Sequence, residues 1–227
     1  MNIITKKPSN LKIYNIYPIW KYLDRCMFLS IILLFICYLW ALYLGHIGLF
    51  CDISDLGINL PERVVFRFNL SIMGTVLILI SFPISDILIL NSQKKYKIYT
   101  DIAHYSQIIS GIGIIFVGAC NPTESIIFHL IAAICGFGGS FITQFIYNIL
   151  LHFEYKKKVY LARCIITILF FIGFILFILG ELNIIPEPFE HILEWILMFN
   201  LVGWYSSFQY DFSNFYLSSI QLKQYKV

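Results

Sequence analysis

The chain has 227 residues, of which 59% are hydrophobic and only 13% charged, with a formal net charge of +3 and a mean hydropathy of +0.79. A water-soluble domain carries roughly 25% charged residues, so most of this surface belongs against lipid. The small, scattered positive charge excludes a nucleic-acid footprint.

The chain opens with a basic tail, residues 1–25, that holds Lys6, Lys7, Lys12, Lys21 and Arg25. A membrane-crossing helix needs about 20 apolar residues, and the first such run covers about 26–45. It lies behind the basic tail and lacks an A-x-A-like end, so it reads as an uncleaved anchor. Next comes the most distinctive stretch, CDISDLGINLPERVVF at 51–66, polar and acidic between two apolar runs. Gly57 and Pro61 suit a turn, and Glu62 after Pro61 suits a helix start with an acid at the positive dipole end. An ordinary solvated turn accounts for much of this. It does not account for Arg67, which falls about one turn inside the second run at 64–90, where a guanidinium is costly unless paired or wet. Glu62, Asp55 or a group from another loop at the same membrane face is its expected partner. Pro83 is expected to kink this long run.

The third run, 102–120, and the fourth, 125–151, carry Gly111, Gly113, Gly136, Gly138, Gly139 and Ser140. Small residues let membrane helices approach closely, so these two spans are expected to be neighbours. Between them, Asn121-Pro122-Thr123 reads as a turn, and His129 falls about one turn into the fourth span. A lone histidine there is more often a packing residue than a ligand. The fifth run covers 164–182 and the sixth 192–210. At the start of the sixth, His191 and Glu194 are three apart and share a helix face, with Trp195 beside them. Asp211-Phe212 closes the span, and residues 211–227 form a second tail.

The fold class is therefore all-α: a polytopic membrane bundle of six helices, residues 26–210, flanked by the tails. With six spans, every Lys and Arg except Arg63 and Arg67 falls on one side, which the positive-inside rule assigns to the cytosol together with both termini. The other face collects a luminal polar cup: Asp52, Asp55, Glu62, Arg63, Arg67, Asn121, His129, His191, Glu194 and Trp195. Histidine with carboxylates is metal-ligand chemistry, but no H-E-x-x-H spacing is present, so neither a metal nor another cofactor is expected. The six cysteines show no C-x-x-C, and whether Cys51 and Cys120 pair stays open. No phosphate loop, G-x-S-x-G or nucleophile–base pair is visible.

Ile53-Ser54-Asp55 with Gly57, Pro61-Glu62 and Phe66, followed late in the chain by Glu194-Trp195, Phe199 and Asp211-Phe212, resembles the Frag/DRAM/Sfk superfamily of six-span membrane proteins. Asn121, His129 and Ala133 stand where that family tends to have Asn, His and Ala. The Glu-Trp form of the last span is closer to the autophagy-modulator branch than to the GPI-anchor-remodelling branch, which tends to have Glu-Tyr and a later His. The resemblance implies residence in lysosomal, Golgi, ER or plasma membranes and a role in autophagy, lipid organisation or GPI-lipid processing. Three readings stay open. The first is a non-enzymatic regulator of membrane lipid organisation or of autophagic and lysosomal trafficking, acting through the cup. The second is a GPI-anchor or phospholipid remodelling factor, with Glu194 and His191 or His129 as acid–base groups. The third is a lipid transporter. Membrane lipids are the expected partners, with other membrane proteins as a further class and nucleic acid excluded.

Overall fold

The computed structural model describes residues 16–91, 96–151, 157–182 and 184–208, and these are helical apart from turns and loops. Helix α1 spans Ile16–Tyr43, α2 Glu62–Asn91 and α3 Lys97–Ala119. A fourth rod consists of α4 (Ile126–Ala133), a π turn (Ile134–Gly138) and α5 (Gly139–Leu151). Helix α6 spans Lys157–Glu181 and α7 Glu187–Ser206. Helix α1 begins ten residues before the run expected from hydropathy, so part of the basic tail is helical. Asp211 and Phe212 lie outside the described residues.

Five helices among the described residues are long and apolar enough to cross a membrane: Lys21–Tyr43, Glu62–Ser85, Lys97–Ala119, Ile126–Leu150 and Lys158–Glu181. Their outward faces are bare hydrocarbon, for example Phe28, Ile32 and Leu39 on α1 and Leu161, Ile165, Ile168 and Ile172 on α6. Apolar area of this extent suits lipid and not water. Helix α7, expected as the sixth span, falls outside these five.

The helices form a ring in which α1 meets α2, α2 meets α3, α3 meets the fourth rod, α5 meets α6, α6 meets α7, and α7 returns to α1. The α1–α7 contact is the sparsest join of that ring. The core side of α2 is Phe66, Leu70, Met73, Leu77, Ile80 and Ile84, spaced three and four apart, and that of α7 is Leu193, Leu197, Leu201 and Trp204, with Phe208 just beyond its end. Helix α2 runs through Pro83, and the Ser81 carbonyl of the same turn lies 3.3 Å from His104 Nδ1 on α3.

Glycine sets how closely the central helices pack. A Cβ at Gly111 would lie 2.6 Å from the Gly74 carbonyl oxygen, and one at Gly113 would lie 2.7 Å from that of Ala132. Spans three and four are thus neighbours, as their small residues imply, and α2 crosses α3 at least as tightly. At the π turn, Ser110 Oγ donates to the Gly136 carbonyl at 2.7 Å and lies 2.6 Å from Ser140 Oγ. Polar side chains here are satisfied between helices, where lipid offers them nothing.

Candidate functional site

The loop from His46 to Pro61 is built to fold back onto the bundle. Helix α1 ends in a left-handed Gly45 (φ 73°), with the His46 N–H donating to the Ala41 carbonyl at 3.0 Å. This is a glycine-terminated helix end that only a residue without Cβ adopts at low cost. It turns His46 toward the start of α2, where Nδ1 lies 2.5 Å from Glu62 Oε1. Glu62 is 1% exposed, and its own backbone carbonyl accepts from the Cys37 thiol at 3.4 Å. The acid of the Pro61-Glu62 pair therefore joins the ends of α1 and α2, and its partner His46 is one the sequence did not single out.

Further along, a short 3₁₀ turn, Ser54–Gly57, seats the loop on α7 through three contacts. The Ser54 backbone N–H donates to Glu194 Oε2 at 3.1 Å. His191 Nδ1 donates to Asp52 Oδ1 at 2.8 Å, and Trp195 Nε1 donates to the Cys51 carbonyl at 3.1 Å. His191, Glu194 and Trp195 thus share one helical face, each holding a different loop residue. Asp55 closes the turn on itself, its Oδ2 accepting from the Asp52 N–H at 3.2 Å. Gly57 is required because a Cβ there would lie 2.9 Å from the Phe66 ring, which sits in the core. The Ile53-Ser54-Asp55…Gly57…Phe66 pattern and the Glu194-Trp195 pattern are two halves of one joint.

The remaining cup residues serve other contacts. Arg63 and Arg67 both face Glu124 of the α3–α4 turn, at 3.9 and 3.7 Å. Arg67 thus finds its partner on another loop, and Glu62 and Asp55 are engaged elsewhere. Asn121 Oδ1 accepts from the Thr123 N–H and hydroxyl, both at 2.9 Å, and His129 Nδ1 donates to the Cys120 carbonyl at 2.7 Å. Both residues shape the α3–α4 turn, although His129 lies within electrostatic reach of Asp52. All six cysteines are free, and no group of three or more His, Cys, Asp or Glu side chains among the described residues is arranged to hold a metal.

Burial raises the Asp55 carboxyl above its ordinary value of 3.8, and the charge of Asp52 adds to this, while the Asp52 N–H and His191 pull the other way. A raised acid binds more protons folded than unfolded, so it costs stability as pH rises from its unfolded pKa through its folded one. Asp55→Asn keeps the acceptor and removes the titration. The thermal stability of the wild type is therefore expected to fall over that interval relative to Asp55→Asn, as seen by unfolding detergent-solubilised protein across pH. Parallel curves for the two proteins would contradict this. Burial first, then Asp55, Asp52 and Glu194, push the Cys51 thiol up to about 12. It is therefore a protonated, inert thiol at neutral pH.

Beside this joint, at the sparse α1–α7 join, lies a cleft of about 250 Å³ lined by Phe35, Tyr38, Leu49, His191, Trp195 and Phe199, among others. Its aromatic rings pack at 5.6 Å (Phe35–Trp195), 5.7 Å (Phe35–Phe199) and 5.7 Å (Tyr38–Trp195). The polar ends of two of them are used by the loop, with Tyr38 OH donating to the Leu49 carbonyl at 2.8 Å and Trp195 donating to Cys51. Ring faces are what remain toward the cleft. Sequence spacing gives no sign of it, because α1 and α7 are about 150 residues apart and are the first and last helices among the described residues.

A second polar cluster joins α5, α6 and α7 away from the loop joint. Arg163, 1% exposed, donates from Nε to Ser207 Oγ at 2.7 Å and lies 4.2 Å from the centre of the Phe208 ring. Asn148 Nδ2 donates to Thr167 Oγ1 at 2.8 Å, and that hydroxyl lies 3.3 Å from Gln144 Oε1. Arg163, one of the basic residues that the six-span reading counts on the cytosolic side, is thus buried at the end of α7.

No curated protein and no solved structure matches the chain. A family model does match, described as the Frag1/DRAM/Sfk1/Cwh43P N-terminal domain, over residues 20–215. The match takes in all seven helices of the described residues apart from the first turn of α1 and includes both halves of the loop joint. The chain is a multi-pass helical membrane protein and belongs to the Frag1/DRAM/Sfk1/Cwh43P family.

Proposed function

We propose that this protein is a non-enzymatic, lipid-binding regulator of membrane lipid organisation in an endomembrane or the plasma membrane. Trafficking or autophagic effects would follow from that binding. In this reading α7 is the sixth crossing, both termini face the cytosol, and the loop joint lies at the luminal or extracellular face. The observation that carries the reading is the aromatic cleft between α1 and α7, lined also by Leu49, Phe50 and Cys51 of the loop. Its volume of about 250 Å³ exceeds the ~150 Å³ of a benzene-binding cavity and falls short of the ~300–1,000 Å³ of drug-sized pockets. Such a space accommodates part of a lipid whose remainder stays in the membrane.

The test is native mass spectrometry of protein released from mild detergent, which reads retained lipid directly. Leu49 lines the cleft and is 67% exposed, so Leu49→Trp narrows the space without disturbing the core. It is expected to lower retained lipid by about ten-fold, equivalent to ~1.4 kcal/mol of steric conflict. Leu60→Trp, on the same loop at 57% exposure and outside the cleft lining, serves as the control and is expected to retain wild-type levels. Equal retention by both variants would remove the cleft from the account.

One observation favours a remodelling enzyme as the second reading. Asp52 orients the His191 imidazole, and both side chains are 24% exposed, with Glu194 one turn along α7. An oriented imidazole is general-base geometry. Turnover of a lipid ester by wild type and its loss in His191→Gln would establish catalysis in place of regulation.

A further inference from the structure

We infer that the α1–α7 cleft takes a sterol-class lipid, a rigid, flat, uncharged polycycle whose single hydroxyl meets the His191–Asp52 pair. The inference rests on the lipid-binding reading above and specifies the occupant.

Three features of the cleft select this class. The first is charge. Among the described residues no Lys or Arg lines the cleft, the Asp52 carboxylate sits beside it on His191, and Arg63 and Arg67 face Glu124 instead. A phosphate group placed here would meet the Asp52 carboxylate, with no cation among the described lining residues to offset it. The second is the balance of polar and apolar surface. Tyr38 and Trp195 direct their polar atoms into loop carbonyls, so ring faces form the wall. His191, hydrogen-bonded to Asp52, is the polar side chain of the described lining. One small polar group on a large apolar body complements such a surface, and a bulky headgroup does not. The third is rigidity. A flexible acyl chain loses rotamer freedom when it enters a fixed slot, whereas a fused-ring body arrives already ordered. The exposed Phe35 and Phe199 faces, 44% and 42% accessible, leave the lipid side open for the rest of the molecule.

The test uses full-length protein in phosphatidylcholine vesicles with two photoactivatable probes, a diazirine sterol and a diazirine fatty acid, and maps the labelled peptides. The sterol is expected to label segments containing Phe35–Tyr38 and His191–Phe199. A sterol with a free 3-hydroxyl is expected to compete about five- to ten-fold better than its 3-ketone, the preference one hydrogen bond confers. In His191→Leu that preference is expected to disappear while labelling persists. Should His191→Leu fail to fold, the hydroxyl-against-ketone comparison on wild type decides the question alone. Equal competition by alcohol and ketone, or sterol labelling elsewhere, would overturn the inference. Fatty-acid labelling of the cleft without sterol labelling would overturn the sterol assignment and leave the lipid-binding reading standing. Labelling of the cleft by neither probe would overturn both.

Discussion

Glu194→Ala is expected to unseat the loop between α1 and α2 and to cost about 2–3 kcal/mol, while Glu194→Gln is expected to fold as well as wild type. The difference lies in one acceptor atom. The Ser54 N–H is buried beneath the loop and donates to Glu194 Oε2 at 3.1 Å. Truncation to alanine orphans that donor, at a cost of about 1–3 kcal/mol, and leaves a void where a side chain only 6% exposed had been. Removing a buried carboxylate offsets part of this, since its desolvation opposes folding. Glutamine keeps an oxygen in place and removes the ionisable group that burial penalises, so it receives the relief without the loss. Equilibrium unfolding in mixed detergent–SDS micelles measures the stabilities. Maleimide labelling of Cys51, which is 5% exposed, reports the loop directly. Rapid labelling of Cys51 in Glu194→Ala together with protection in Glu194→Gln is the expected pattern. Protection in both would mean that Trp195 and His191 hold the loop unaided.

The second large effect is expected where glycine lets α2 and α3 touch. In Gly111→Ala the new methyl would lie 2.6 Å from both the Gly74 carbonyl oxygen and Ile78 Cγ1. The carbonyl is backbone and cannot move aside without parting the helices. Overpacking of this kind costs about 1–3 kcal/mol or more. Gly203→Ala makes a sharp contrast, because a Cβ there meets nothing within 4 Å. It is expected to stabilise α7 by up to about 1 kcal/mol through helix propensity alone. The same micelle unfolding series checks both variants. A neutral Gly111→Ala would mean that the α2–α3 crossing is looser than described.

Local pattern made some of this architecture legible. Run length gave the helices, because a bilayer sets a minimum apolar length that no other constraint imitates. Glycine clusters gave the contact between spans three and four. His191 and Glu194 fall on one face because the helical period puts them there. Partner choice was harder to read. His46 lies sixteen residues before Glu62 with a loop between them, and only the left-handed turn at Gly45 brings the two together. Arg67 was seen to need a counter-ion, yet nothing local names Glu124. Arg163 looked like a topological charge because burial is a property of the assembled α5–α6–α7 face. The cup, grouped from sequence as one feature, divides into separate joints: Glu62 with His46, the Asp52–Asp55 turn with His191, Glu194 and Trp195, the arginines with Glu124, and Asn121 with His129 at the α3–α4 turn. The cleft was invisible in the sequence because it forms where α1 and α7, far apart along the chain, meet.

The most direct measurement is an electron cryomicroscopy map of the protein in nanodiscs of native membrane lipid, refined around the α1–α7 join. The expected result is continuous non-protein density between the Phe35–Tyr38 and Trp195–Phe199 rings, with its polar end toward His191, absent from a matched map of Leu49→Trp. A cleft closed by direct α1–α7 packing, or density no different from that around the other lipid-facing helices, would contradict a lipid site there. The loop joint would then be a purely structural lock.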